Sequence, residues 1–323
     1  MSPRLRLVLK LIVTAGLLAS VIYRIDLQAF WEVISSANPL LLLAAGAVQA
    51  LTVLISSGRW RVILRNFNVE ETFSALAKIT FIGFFFNLFL PSGIGGDFFR
   101  SYYLSKRTGR GMSTTLMTLI LDRSAGLLAL LLIGLAATLV YPLEIGGINV
   151  FWIFSGIFLA YLAANLVLFH SVTHRLLKGL MRRFKRDGLE QKVELVALGL
   201  RTLRRNPQAV LKAAGYSLAI QFLAVLVVWL AALSIQLPAD FGVFLIFIPL
   251  VNLTIMVPIT INGVGLRETV YIELFQTIGV SQEYSVSLAL LHLGVFLLAG
   301  LPGGIVYHLY KKDERFDEIA TAG

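Results

Sequence analysis

Four ionisable side chains of this 323-residue chain sit where charge is expensive. Asp97 and Arg100 follow Asn87-Leu88-Phe89-Leu90-Pro91-Ser92-Gly93-Ile94-Gly95-Gly96, and Arg267 and Glu268 follow Pro258-Ile259-Thr260-Ile261-Asn262-Gly263-Val264-Gly265. Both breaks are set in apolar sequence. Proline lacks an N–H and ends a helix, and glycine admits backbone angles that other residues resist. A helix that restarts after such a break presents free N–H groups and the positive end of its dipole. With an arginine within about one turn, each restart can bind an anion such as a phosphate. The carboxylates of Asp97 and Glu268 can instead receive a cationic group or a proton, and Asp97 can cap the helix it begins. Asn87, Ser92, Asn252, Thr260, Asn262 and Tyr271 add neutral polar lining, while Gly93, Gly95, Gly96, Gly263 and Gly265 supply backbone freedom. The competing reading is structural: the four charges sum to zero and could neutralise one another as a lock between the two stretches. Ionisable groups at membrane depth are functional by default, which favours a site.

Other candidates carry less. Asp122 and Arg123 are neighbours and therefore diverge around a helix; they read equally as an interfacial pair and as an extension of the site. His292 stands alone in an apolar run and reads as a helix-packing hydrogen bond rather than a proton relay. Glu273 reads as a solvated charge, and Leu301-Pro302-Gly303-Gly304 as a kink. No HExxH, P-loop or nucleophile elbow is present, so no enzyme, cofactor or metal site is expected. Cysteine is absent, which removes disulfides and thiolate chemistry.

The elements that must position these residues follow from composition. Hydrophobic residues make up 57% of the chain and charged ones 14%. Several runs of 18 or more residues carry no charge, so the fold class is all-α polytopic membrane protein. The chain holds 28 Lys and Arg against 18 Asp and Glu, a formal charge of +10. That excess lies beside apolar runs, where the positive-inside rule accounts for it without nucleic acid; it would also attract anionic lipid headgroups.

The charge distribution predicts about six full spans, near 11–23, 39–57, 114–141, 150–169, 213–235 and 285–310, with both termini cytoplasmic in the cell (inner) membrane. The first is an uncleaved span, and Arg24 to Asn38 is a short amphipathic helix beyond it. Arg59, Trp60, Arg61 and Arg65 read as a cytoplasmic interface belt. The apolar run Ile79 to Pro91 is 13 residues long, short of the roughly 20 that a span needs. Basic residues at both ends of 72–111 put those ends on one face, which predicts a re-entrant hairpin. A second, at 241–284, enters from the opposite face. His174 to Lys212 contains eleven Lys or Arg against Asp187, Glu190 and Glu194, and reads as a cytoplasmic helical linker on the membrane. The expected organisation is one integral membrane domain over 1–323. Its first repeat is 39–141, a connecting span and linker occupy 150–212, and an inverted second repeat is 213–310.

The stretches NLFLPSGIGGDFFRSYYL and PITINGVGLRE resemble the membrane region of lysylphosphatidylglycerol synthases, the flippase-like family that includes the N-terminal half of multiple peptide resistance factors. The resemblance covers nearly the whole chain. It implies a lipid-translocating membrane domain with re-entrant helices. Only Lys311 to Gly323 follows the last apolar run, so synthase activity is not expected. The resemblance leaves the lipid open: an aminoacylated or anionic phospholipid, or a polyprenyl-phosphate lipid. The partners expected are membrane lipids, with a lipid-modifying enzyme as a further candidate, and a homo-oligomer is compatible with the pattern. An ion-coupled small-solute transporter or channel of the same design, and a non-transporting scaffold, are the alternatives.

Overall fold

Hydrocarbon offers no water to a backbone N–H or C=O, and this chain meets that constraint with helices. A computed structural model describes residues 3–90, 95–169, 187–257, 259–260 and 263–321. Among these there are twelve helices: α1 (Pro3–Arg24), α2 (Leu27–Ser35), α3 (Pro39–Arg65), α4 (Phe73–Phe89), α5 (Gly95–Thr108), α6 (Met112–Val140), α7 (Val150–Phe169), α8 (Asp187–Arg204), α9 (Pro207–Ser234), α10 (Phe241–Ile255), α11 (Leu266–Gln276) and α12 (Gln282–Thr321). A two-stranded ribbon, β1 (Glu144–Ile145) and β2 (Ile148–Asn149), turns through Gly146 and Gly147 at φ of 56° and 77°, angles that a tight hairpin demands and glycine supplies.

Among the described residues five helices, α3, α6, α7, α9 and α12, are long and apolar enough to cross a membrane. The first apolar segment supplies a sixth candidate span if its bent pair counts as one. Leu11–Tyr23 reaches spanning length only together with Leu27–Ser35, across a bend of 91°. That bend falls where Asp26 caps α2, its Oδ1 accepting from the N–H groups of Gln28 and Ala29. The protein is an all-α integral membrane protein. α4 and α10 are apolar but have only 17 and 15 residues.

The chain clusters into two compact units, each assembled from separate segments. The first comprises Met1–Leu54, Ala77–Arg100 and Phe222–Gly323. In it, α4 and the start of α5 fold back on one another. Phe86 stacks on Phe99 with ring centroids 3.7 Å apart, and a Cβ added at Gly96 would lie 2.0 Å from the Gly83 carbonyl oxygen. α10 and α11 fold back likewise, with Phe244 and Phe247 on Phe275 at 5.5 and 5.0 Å. α1, α2, α11 and α12 share a cluster of Val21, Ile25, Phe30, Ile272 and Val286. Along α12 the residues expected to make a kink also pack against α4. The helix runs unbroken through Pro302, and Gly300, Gly303 and Gly304 form the bed on which Leu88, Phe81 and Phe85 of α4 lie. Small residues allow such close approach where lipid supplies no hydrophobic drive between helices.

The second unit comprises Ile55–Leu76 and Ser101–Gln221. Here α6 receives Phe154 of α7 at Gly134. Arg59 and Trp60 depart from the expected interface belt: both are buried, and the Trp60 indole N–H donates to Thr118 Oγ1 at 3.0 Å. Arg65 is exposed, as a belt residue should be.

A side chain at Gly303 would have to displace backbone, since its Cβ would lie 2.1 Å from the Phe81 carbonyl oxygen, whereas one at Gly294 meets nothing within 4 Å. Gly303→Val is therefore expected to lower stability by about 3 kcal/mol or more, while Gly294→Ala is neutral or slightly stabilising. Thermal unfolding of the two variants in detergent, read beside their yield of monodisperse protein, checks the contrast.

Candidate functional site

The two breaks solve one problem by different chemistry. α5 begins at Gly95, and its early N–H groups lack partners within the helix. Residues 91–94, just before this start, lie outside the described residues, and with them the capping role expected of Asp97. Asn87, on the incoming α4, turns its Oδ1 to the Gly96 N–H at 2.8 Å. Asp97 faces Arg100 one turn on, with Oδ1 3.5 Å from Nη1, and both are buried. The Arg100 stem lies across Gly83: a Cβ there would sit 2.4 Å from Arg100 Cγ. Gly83 is thus the residue that lets Arg100 lie flat against α4, and nothing in its local sequence marks it. Ser92 and Gly93 lie outside the described residues, as do Pro91 and Ile94.

The second break caps itself. The Glu268 Oε2 accepts the Gly265 N–H at 2.6 Å, so the carboxylate reaches back over the first turn of its own helix. Gly263 and Gly265 hold φ of 78° and 81°, where a side chain would be strained. Gly265 also has α1 against it, since a Cβ would lie 2.8 Å from Leu17 Cβ and 3.1 Å from the Thr14 carbonyl. Asn262 and Pro258 lie outside the described residues. Thr260 is buried and Asn252 is half-buried.

Arg267 is the exception among these charges. It is 8% exposed, its Nε has no hydrogen-bond acceptor, and no carboxylate stands within ion-pair distance of it among the described residues. Its neighbour Glu268 is committed to Gly265. Accordingly the expected four-charge lock is not formed: neither Arg267 nor Glu268 pairs with Asp97 or Arg100. Below Arg267, Tyr271 is fully buried and its hydroxyl meets His292 Nδ1 at 2.9 Å, which makes His292 a helix-packing hydrogen bond between α11 and α12. His292 in turn packs on Phe296 at 5.0 Å, and Phe296 on Phe84 of α4 at 5.5 Å. Ring contacts therefore run from α11 through α12 to α4, joining the two folded-back pairs within one unit. Glu273 is exposed.

Asp122 belongs to the other unit, and its partner is not its neighbour. Arg59 reaches it from α3 in a two-pronged pair, Nε to Oδ1 at 2.7 Å and Nη2 to Oδ2 at 3.1 Å, and Arg59 Nη1 also donates to Ser217 Oγ on α9 at 3.0 Å. Gly126 faces the same guanidinium, where a Cβ would sit 3.2 Å from Nη1. Arg123 points away and is exposed. A buried pair with both partners well placed is a structural element that joins α3, α6 and α9. Breaking it leaves an uncompensated charge, at a cost of about 3–5 kcal/mol, whereas an apolar pair of similar volume can be neutral. Asp122→Ala should therefore lower thermal stability sharply in detergent, and Arg59→Met with Asp122→Leu should recover most of the loss. An additive double variant would contradict the pairing.

Comparison with known proteins places the chain. A stretch of 117 residues is 30% identical to the UPF0104 membrane protein MJ1595 of Methanocaldococcus jannaschii, covering 35% of each chain. The chain thus matches about a third of that relative's length. The family model described as lysylphosphatidylglycerol synthase TM region matches residues 7–303, which takes in both breaks, four of the long apolar helices whole and α12 as far as Gly303. The protein belongs to the lysylphosphatidylglycerol synthase TM region family.

Proposed function

We propose that this protein moves a phosphate-bearing lipid across the cell membrane, with the headgroup received at the two helix starts of the first unit. The observation that carries the reading is Arg267, a guanidinium that is nine-tenths buried, beside a helix N-terminus, with no carboxylate in ion-pair distance among the described residues. Such a group is costly unless a ligand completes it. Arginine offers a planar fork to phosphate oxygens, and the helix start adds partial positive charge. Arg100, buried on the matching helix, serves the same chemistry, with Asp97 beside it to meet a cationic moiety or to release the arginine when phosphate arrives. The substrate is a polar lipid, either an aminoacylated or anionic phospholipid or a polyprenyl-phosphate lipid, in keeping with a family named for a lipid synthase's membrane region.

In this reading the short helices α4 and α10 are the inward arms of two re-entrant hairpins, entering from opposite faces in an inverted repeat. Both termini are cytoplasmic. Ring contacts through α12 would let one hairpin sense the other. The chain contains no nucleotide-binding loop, so movement would follow a gradient or be passive.

Proteoliposomes carrying headgroup- or chain-labelled phosphatidylglycerol, lysylphosphatidylglycerol and a polyprenyl phosphate test the function. Wild type should equalise at least one label between leaflets. Arg267→Gln should slow that lipid about tenfold or more, and Arg267→Lys should retain part of the rate, since charge remains and the fork is lost. A wild-type protein that leaves the distribution of all three unchanged would sink the proposal. Because the chain lacks cysteine, Ser105→Cys and Ala239→Cys test the insertion: they should label from the cytoplasmic and outer faces respectively, and labelling from one side would break the inverted arrangement.

A further inference from the structure

The second unit contains an apolar groove that the proposed translocation site does not use. It has a volume of about 110 Å³ and is lined by α3, α6, α8 and α9, chiefly by Leu121, Ala125 and Ala129 of α6 and Val210, Ala214 and Leu218 of α9. Its origin is visible in the residues. Asp122 and Ser217 share Arg59, and Gln221 Nε2 donates to the Gly126 carbonyl at 3.0 Å, so α6 and α9 are held at a fixed separation by polar contacts on one side. On the adjoining side both helices present alanines, which are too short to close the seam. The result is a trough that is apolar along its whole lining, with Val210 and Leu218 left exposed.

A trough of this size is well below the roughly 300–1,000 Å³ of a site that encloses a whole small molecule, and it offers no polar group to orient a headgroup. It suits a stretch of hydrocarbon chain. What stands at its end decides which chain. Leu203 and Val210 lie on either side of the turn from α8 to α9, which is fixed by the Asn206 cap on α9 and by the Asn206 amide on Asn66 Oδ1 at 3.0 Å. That turn carries Arg204 and Arg205, and Lys212 follows Val210; all three are exposed, and no acidic residue occurs between Glu194 and Asp240. An apolar trough that ends at a cationic rim matches an amphiphile with a long chain and an anionic head.

We infer that this groove is a resident binding site for an anionic phospholipid of the surrounding bilayer, one acyl chain lying between α6 and α9 and its phosphate at Arg205 and Lys212. The site is separate from Arg267 and stands whether or not the protein moves lipid. Its selectivity comes from the rim, since lipid tails are as apolar as the groove, and its specificity over ordinary boundary lipid comes from the shape of the trough.

Native mass spectrometry of the full chain, delipidated in detergent and titrated with dioleoyl phosphatidylglycerol or dioleoyl phosphatidylcholine, tests it. Wild type should hold one phosphatidylglycerol at concentrations where phosphatidylcholine is not retained. Arg205→Gln and Lys212→Gln, both at exposed positions that cannot disturb packing, should each weaken phosphatidylglycerol about fivefold. Ala214→Phe, which fills the trough, should abolish the adduct while Gly294→Ala, at an open position in the first unit, leaves it intact. Equal retention of the two lipids overturns the inference. So does a charge effect without a groove effect, which is surface adsorption, or a dimer without lipid, which makes the trough a contact between copies. Should Ala214→Phe fail to yield folded protein, Ala125→Leu repeats the test from the opposite wall.

Discussion

A helix that begins inside an apolar protein starts with N–H groups that no water will satisfy, and the first unit depends on how that is met. At α5 the acceptor comes from across the fold-back, Asn87 to Gly96. At α11 it comes from within, Glu268 to Gly265. These two choices fix the rest of each site. With Asn87 on the Gly96 N–H, Asp97 faces Arg100 one turn on. Because Glu268 does the capping, Arg267 is left without it. The two starts look alike in sequence and carry the same formal charges, but one acid faces its arginine while the other is turned to its own helix start. An anionic ligand would meet unequal ends.

The polar contacts could not be made unless backbones came very close, and glycine provides for that at particular places. Gly96 and Gly83 let α5 and α4 touch, and Gly303 lets α4 lie on α12. α12 consequently serves as the common support, holding α4 by its glycines and Phe296 and holding α11 by His292. A membrane helix pair gains little from hydrophobic burial, so van der Waals fit and hydrogen bonds carry its association. A movement of α11 would strain the Tyr271–His292 hydrogen bond first, and through Phe296 it would reach Phe84. This is the physical route by which occupancy at one helix start could alter the other.

Much of this was readable before any coordinates. The helical membrane class follows from hydropathy, the breaks from proline and glycine, and the buried charges from their isolation in apolar sequence. His292 as a packing hydrogen bond also follows, because a lone histidine in a span must find a partner. Contacts distant in sequence were not readable. Asp122 pairs with Arg59, 63 residues away, and a basic cluster beside a tryptophan looks like an interface belt until the fold turns two of its members inward. Gly83 lies in a bare apolar run, and only the Arg100 stem above it gives it a role. The first apolar segment was legible as helix, but its bend against α2 depends on Asp26, a cap that a hydropathy window does not weigh.

Buried charge alone therefore does not single out the proposed site; the state of its partners supports it. Arg59 and Asp122 are as deeply buried as Arg267, yet each satisfies the other, and Ser217 takes a further donor. Nothing remains there for a ligand to complete. Arg267 carries the same desolvation cost and receives no such return among the described residues. A folded protein tolerates that cost only if the surrounding structure holds the residue in place, as Gly265 against α1 and Tyr271 against α12 do here, or if a ligand repays it during the working cycle. In the proposed site, the packing of Gly265 against α1 and the Tyr271–His292 hydrogen bond would make Arg267 a preorganised donor, one that need not move to receive an anion.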